Sequence, residues 1–320
     1  MSINLDKPGQ WKTDIVQSVD MYNDWFMKFA PNAFRTTRVQ TTKDVVATLR
    51  STENITNIQP ALLRKYPEVL PTLRMSTCPP IAVDRLIGLA GVSVNLVRCM
   101  DLKKRLPNRM PTADLDLELA RIGNVIEKMA DPDIFVWLGR KEPPTDAEIQ
   151  RAATIVADRL CGAVANPIIR NAQEKRQLAA IKSWLEARGY EQLPGGNGTA
   201  FDAMPPGTFS FRTNVPVKLE GGLKSVNIPI DAVIMPRKAM GKQFPIFFEA
   251  KSAGDFTNTN KRRKEEAVKM AQLRANYGKK VQFNLFLCGY FDSGYLGYEA
   301  AEGIDWVWEH RIDDLALFGL

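Results

Sequence analysis

The stretches Pro229-Ile230-Asp231 and Phe247-Phe248-Glu249-Ala250-Lys251 decide the fold of this 320-residue chain. Alternate side chains of a β-strand lie on one face, so Glu249 and Lys251 are predicted to project to the same side. Asp231 is a lone acid in the preceding apolar run. If the two runs pair as neighbouring strands, both carboxylates and the lysine converge.

This convergence predicts a site that cleaves phosphodiester bonds. Two carboxylates hold a hard cation such as Mg²⁺ through oxygen. A neighbouring lysine orients or deprotonates a metal-bound water. The alternative is that Glu249 and Lys251 form only an ion pair at a strand end.

The bulk properties favour a polyanionic partner and exclude several enzyme classes. The formal net charge is +7, and 45% of the residues are hydrophobic, enough for one large domain or two smaller ones. The only histidine is His310. Nucleases built on paired histidines, histidine-based zinc enzymes and Ser-His-Asp hydrolases are therefore disfavoured. The four cysteines form no CxxC pair, which favours reduced, buried thiols.

The sequence does not suggest a membrane protein. No run approaches the roughly 18 consecutive apolar residues of a transmembrane helix. Residues 1–7 lack the apolar stretch of a signal peptide. We therefore expect a cytoplasmic protein without a membrane partner.

The chain changes character near residue 165. The first part is predicted to be mainly helical, with helical segments at 16–29, 42–49, 117–129 and 148–160. Proline-containing breaks are predicted at Pro79-Pro80, Pro107 to Pro111 and Pro132. The second part is predicted to contain a helix at 171–188, strands at 208–217, 226–235 and 245–251, a basic helix within 255–277 and a strand at 281–287. Three strands in a meander followed by a crossover helix predict an α/β fold, a mixed central sheet flanked by helices.

This order of elements resembles the PD-(D/E)xK nuclease superfamily over roughly residues 171–290, although Ile230 interrupts the first half of the motif. The whole chain is also similar to the XamI-type family of Type II restriction endonucleases. Three further stretches carry that similarity: Tyr22-Asn23-Asp24-Trp25-Phe26-Met27, Pro79 to Ser93, and Asp158-Arg159-Leu160-Cys161-Gly162-Ala163. We therefore expect a mainly helical N-terminal region at 1–165, with a role in DNA recognition or dimerisation, and a nuclease core at 166–320.

The resemblance implies a role for each motif residue. Asp231 and Glu249 would be metal ligands, together with the backbone carbonyl of Ala250, and the metal would be Mg²⁺. Lys251 would position and activate the attacking water. Glu174 and Glu186, on the helix before the first strand, are further candidate acids, and Glu174 is chosen on position alone. The implied activity is sequence-specific hydrolysis of double-stranded DNA that leaves 5′-phosphates, by a homodimer whose genetic partner is a cognate DNA methyltransferase.

Two segments are predicted to contact DNA. The first follows the catalytic strand and combines short polar side chains with a basic run that suits a phosphate backbone: Thr257, Asn258, Asn260, Lys261, Arg262 and Arg263. Its alternative is a solvated helix face on which Glu265 and Glu266 balance the positive charge. The second is a helix-turn-helix-like stretch at 83–97, whose second helix would present Ser93, Asn95 and Arg98. An ordinary helical hairpin has the same pattern.

Two other functions fit parts of the sequence. A structure-selective repair or recombination nuclease would share the three core residues but would not need the large N-terminal region. A non-catalytic helix-turn-helix regulator would bind DNA without cutting it and would leave the converging carboxylates unexplained.

Overall fold

The structure is a computed structural model that describes residues 2–218, 225–241, 243–257 and 259–320, without the side chains of residues 259–263. The chain divides into two compact units. A helical unit comprises residues 30–169, and a sheet unit comprises residues 1–29 together with 170–320. Two long helices, α1 (Pro8–Ser51) and α7 (Asp146–Glu186), contribute residues to both units.

The helical unit confirms the predicted helical character of the first part of the chain. Between α1 and α7 it contains α2 (Pro60–Lys65), α3 (Leu70–Met75), α4 (Val83–Ala90), α5 (Val94–Lys103) and α6 (Thr112–Met129). Leu115, Leu119, Ile122 and Ile126 recur at helical spacing along α6, and all four side chains are buried. They form one apolar core with residues of the neighbouring helices.

The predicted breaks at Pro79-Pro80, Pro107 to Pro111 and Pro132 lie between helices, but two pairs of segments predicted separately are each part of one continuous helix. Residues 16–29 and 42–49 belong to the single helix α1, with Pro31 inside it. Residues 148–160 and 171–186 likewise belong to α7, with Pro167 inside it. Proline removes one backbone hydrogen bond and disfavours a helix interior, but the segments around both prolines contain buried side chains, including Ala30 and Ala165. Burial outweighs local propensity at these positions.

The sheet unit contains a mixed sheet whose order follows the chain from β1 to β6. Its strands are β1 (Glu191–Leu193), β2 (Thr208–Lys218), β3 (Ser225–Met235), β4 (Ile246–Ala253), β5 (Gln282–Gly289) and β6 (Asp305–Trp308). The strands β2, β3 and β4 form the predicted antiparallel meander. Helix α8 (Thr259–Tyr277) then connects β4 to β5, which is parallel to β4. The predicted fold class is confirmed.

Two strands were not predicted. β1 has three residues, too few to show alternation. β6 is buried at all four positions, so its sequence shows no polar and apolar alternation. β6 pairs in parallel with β5 and follows helix α9 (Ser293–Ala301).

The two faces of the sheet pack against different helices. Val233 and Phe247 belong to the core that includes Met270 and Leu273 of α8. Phe248, at the alternate position, belongs to the core that includes residues of α7. Side chains at positions 249 and 251 share the face of Phe247. The charged residues of β4 are therefore directed toward α8.

Among the residues that the structure describes, one helix, α7, is long and apolar enough to cross a membrane by length and composition alone. Of its most apolar stretch, 39% is buried in the protein. A single helix of this kind is weak evidence, because core helices pass the same test.

Candidate active site

The motif acids meet where β3 and β4 stop pairing. Ala232 lies opposite Phe248, and one residue further along this register Asp231 faces Glu249. The backbone N–H of Ala250 donates a hydrogen bond of 2.9 Å to Asp231 Oδ2. The Asp231 side chain thus accepts a hydrogen bond from the β4 backbone where the pairing of β3 and β4 ends. This brings the carboxylates of Asp231 and Glu249 together, as the sequence predicted.

Glu249 is the centre of a buried cluster of charges. Its side chain is 7% exposed, and its Oε1 lies 3.2 Å from Lys251 Nζ and 2.6 Å from Lys269 Nζ. Its Oε2 is buried and has no hydrogen-bond partner among the described residues. One oxygen is therefore shared by two ammonium groups, and the other remains available to a ligand.

Lys251 lies between two carboxylates. Its Nζ is 3.2 Å from Glu249 Oε1 and also 3.2 Å from Oε1 of Glu266, whose side chain is 1% exposed. Burial alone lowers the pKa of Lys251, but the negative charges of Glu249 and Glu266 outweigh burial, and the pKa is raised. Lys251 is therefore a cation at neutral pH, suited to orient a water or neutralise a phosphate oxygen.

The pKa of the Asp231 carboxyl group is shifted toward neutral pH. Burial, reinforced by the negative charge of Glu249, raises the pKa of Asp231 to about 6, although the N–H of Ala250 lowers it. A nearby positive charge would favour the ionised form.

Glu174 lies close enough to contribute to this electrostatic environment. Its negative charge further raises the pKa of Asp231. Its Oε1 accepts hydrogen bonds from Arg212 Nε at 3.1 Å and from Arg212 Nη2 at 2.7 Å. Arg212 lies on β2 at the register position opposite Asp231 and has a left-handed φ of +53°. The predicted further acid is thus at the site, paired with an arginine.

The end of β4 is also fixed from α7. The Gln177 side chain donates hydrogen bonds to the carbonyl of Lys251 at 3.2 Å and to the carbonyl of Phe286 at 3.1 Å. These bonds connect α7 to β4 and β5 and hold the backbone beside the cluster.

The oxygen atoms of Asp231 and Glu249 partly fit the binding of a hard cation. Within the described ranges there is no group of three or more His, Cys, Asp or Glu side chains arranged to hold a metal ion. The converging oxygens of Asp231 and Glu249 are nevertheless the ligand type that Mg²⁺ prefers. The buried Oε2 of Glu249 has no hydrogen-bond partner among the described residues, and buried polar atoms are normally satisfied, so this oxygen fits a cation ligand.

Two residues of the site were missed by sequence reasoning, Glu266 and Lys269, both on α8. The interpretation of Glu266 as a charge-balancing residue on a solvated face is wrong, since only Glu265 is exposed. The spacing of Glu266, Met270 and Leu273 places all three on the buried stripe of the helix. That spacing was the signal that could have located Glu266.

The structure describes only part of the first predicted DNA-contact segment. The backbone N–H and Oγ1 of Thr257 donate to Asp255 Oδ1 at 2.9 Å and 2.5 Å. Residues 259–263 form the start of α8. Asn258 lies outside the described residues. The side chains of Asn260, Lys261, Arg262 and Arg263 also lie outside them.

The second predicted DNA-contact segment has the expected hairpin geometry. Gly91 ends α4 with φ +60°, and α5 follows. Ser93 occupies the N-cap position without a side-chain hydrogen bond and donates its backbone N–H to Glu118 Oε2 at 2.9 Å. Asn95 and Arg98 are exposed. This geometry fits both a DNA-reading helix and an ordinary hairpin.

Comparisons with known proteins identify the family. A family model described as XamI restriction endonuclease matches residues 53–308. The Type II restriction enzyme SalI of Streptomyces albus G is 53% identical over 317 residues, which cover 99% of both chains. The crystal structure of protein VC1899 from Vibrio cholerae is similar at a TM-score of 0.28 and 12% identity, over 81% of this chain and 55% of that one. That last likeness is too low to carry an argument. The family match and the high identity along nearly the whole chain show that the protein belongs to the XamI restriction endonuclease family.

Proposed function

We propose that this Type II restriction endonuclease depends on Mg²⁺ and hydrolyses double-stranded DNA through Asp231, Glu249 and Lys251. The observation that carries the assignment of these residues is the buried cluster at the end of the β3–β4 pair. There, two carboxylates and an ammonium group converge on the face toward α8. Family membership supports the reaction class, and the cluster supports the choice of residues.

Asp231 and Glu249, with the backbone carbonyl of Ala250, are the groups that would hold Mg²⁺. The bound ion supplies a Lewis acid that neutralises negative charge on the phosphate. The chain supplies the oxygens, the burial that strengthens their electrostatic interactions, and a hydrogen bond from Ala250 that orients Asp231.

Lys251 acts as a cation toward the attacking water and the phosphate. Its contacts with Glu249 and Glu266 fix the ammonium group where it can orient the water and stabilise negative charge. In the hydrolysis, a water oxygen bonds to phosphorus in line with the departing 3′ oxygen. The bond between phosphorus and the 3′ oxygen breaks, and the 3′ oxygen leaves as a hydroxyl. The product then carries a 5′-phosphate.

Sequence recognition is assigned to the remaining polar and basic positions. Phosphates and base edges would be contacted by the segment at 257–263 and by Ser93, Asn95 and Arg98. Residues 1–165 would serve recognition or dimerisation, and 166–320 cleavage. A homodimer would take one strand per protomer. A cytoplasmic location and a cognate DNA methyltransferase that protects host DNA complete the proposal.

The test is cleavage of unmethylated phage DNA with Mg²⁺ or with a chelator, followed by sequencing and phosphatase treatment of the fragment ends. We expect discrete fragments that share one short sequence, carry 5′-phosphates and are absent with the chelator. Cleavage only at branched or nicked structures would instead indicate a structure-selective nuclease. Tight binding without any cleavage would indicate a regulator.

A further inference from the structure

The contact between Lys269 and Glu249 is closer than the contact between Glu249 and the motif lysine. Lys269 Nζ lies 2.6 Å from Glu249 Oε1, whereas Lys251 Nζ lies 3.2 Å from the same atom. The cluster therefore places two ammonium groups against one carboxylate oxygen, of which only Lys251 also contacts Glu266.

The two lysines differ in how firmly they are held. Lys251 projects from β4, whose backbone is bonded to Gln177, and its side chain is 18% exposed. Lys269 reaches the cluster from α8, contacts one carboxylate where Lys251 contacts two, and is 23% exposed. Lys269 is thus the ammonium that can move away while the strand geometry stays intact.

A buried carboxylate needs a compensating positive charge in every state of the enzyme. When a divalent cation is bound at Glu249, two ammonium groups and the cation would compete for the same carboxylate. A cation at the unpartnered Oε2 would add a positive charge beside the two ammonium groups at Oε1, and like charges repel. The departure of Lys269 relieves this repulsion with the smaller loss, because among the described residues Lys269 contacts one carboxylate and Lys251 contacts two.

We propose that Lys269 is the internal counter-ion of Glu249 in the metal-free enzyme and is displaced when a divalent cation binds. This inference rests on the proposed function, because it assumes that Glu249 is a metal ligand. Its consequence is that Lys269 weakens metal binding while it keeps the empty site neutralised.

The test is titration of the full-length enzyme with Mn²⁺ in the absence of DNA, with free Mn²⁺ measured by electron paramagnetic resonance. Mn²⁺ is the probe because it takes the same oxygen ligands as Mg²⁺. The variants are Lys269→Met, Lys269→Gln and Lys269→Arg. The matched control is Lys264→Met, which removes the same charge from an exposed position of the same helix.

We expect Lys269→Met and Lys269→Gln to bind Mn²⁺ about tenfold more tightly than the wild type. Lys269→Arg, which keeps the charge, should stay within about threefold of the wild type, and Lys264→Met within about twofold. Two uncharged replacements keep the test valid if one of them does not fold, as judged by circular dichroism. Unchanged or weaker binding in the folded uncharged variants would overturn the inference.

A Glu249→Gln variant separates this failure from a failure of the proposed function. If Glu249→Gln loses Mn²⁺ binding but Lys269→Met does not change it, Glu249 is a ligand and Lys269 is not a competing counter-ion. If Glu249→Gln binds Mn²⁺ like the wild type, the assignment of Glu249 as a ligand is itself wrong.

Discussion

Replacing Glu266 by glutamine removes one of the two carboxylates that flank the Lys251 ammonium. Glu266 Oε1 lies 3.2 Å from Lys251 Nζ, and the Glu266 side chain is 1% exposed, so the contact is little screened by water. Glutamine has nearly the same shape but no charge. We therefore expect Lys251 to keep its contact with Glu249 but to lose its fixed position.

The expected size of the effect follows from the lost interaction. Residues of one salt-bridge network are coupled by up to about 3 kcal/mol, and the burial of Glu266 places this ion pair in the upper half of that range, about 1.5–3 kcal/mol. If this amount is lost from the positioning of Lys251, the cleavage rate falls roughly 10–100-fold, because about 1.4 kcal/mol corresponds to a factor of ten. Removal of Lys251 itself, in Lys251→Met, should cost more, on the order of 10²–10⁴-fold.

The assay is single-turnover cleavage of an unmethylated duplex by the two single variants and the double variant, with DNA affinity measured in chelator. If Glu266 acts through Lys251, Glu266→Gln should have little further effect when Lys251 is already methionine. DNA affinity should be unchanged. Glu265→Gln is the control, since it alters the exposed neighbouring carboxylate. A wild-type rate for Glu266→Gln, or the same rate factor in both backgrounds, would refute the positioning role.

Three further predictions concern stability and reactivity. Arg212→Gly should be more stable than Arg212→Ala by about 0.5–1 kcal/mol in urea unfolding, because glycine adopts the left-handed φ of +53° without strain; equal stabilities would contradict this. Arg74→Met should destabilise the protein by about 3–5 kcal/mol, because it leaves the buried carboxylate of Asp101, 2.7 Å away, without its charge partner; a loss below about 1 kcal/mol in the same assay would be too small. A thiol reagent should modify the exposed Cys78 first and Cys288 only after unfolding, since burial raises the pKa of Cys288 to about 12. Modification is followed by mass spectrometry, and modification of Cys288 in the folded protein would contradict the prediction.

The central strands and the motif were predictable because their patterns are local. Residues 226–235 and 245–251 alternate or run apolar between turn residues, and the structure places strands there. The common face of Glu249 and Lys251 follows from strand geometry alone. The convergence with Asp231 needed only the assumption that the two strands are neighbours, which is correct.

The contribution of α8 to the cluster was not predictable in the same way. The charged stretch that begins α8 hides the apolar stripe, so Glu266 resembles its exposed neighbour Glu265. Lys269 reaches Glu249 only because the crossover between β4 and β5 lays α8 over that face of the sheet. The contact of Lys269 depends on tertiary packing, which no local pattern encodes, whereas the spacing of Glu266 with Met270 and Leu273 is a local signal.

The expectation that all four cysteines are buried shows a similar limit. Cys99, Cys161 and Cys288 are buried free thiols, but Cys78 is exposed. Cys78 precedes Pro79-Pro80 in a connection between helices. A connection lies on the surface more often than a helix interior does, and composition alone does not distinguish the two.

The central claim is that the Asp231–Glu249–Lys251 cluster performs the cleavage. The most direct measurement is the single-turnover rate of Glu249→Gln on the enzyme's own unmethylated site, beside its affinity for the same duplex in chelator. We expect a rate loss of at least about 10³-fold, since charge stabilisation of this kind contributes several kcal/mol. DNA binding should stay within about threefold of the wild type. A Glu249→Gln variant that cleaves the site at a rate close to the wild type would contradict the assignment of this cluster to cleavage.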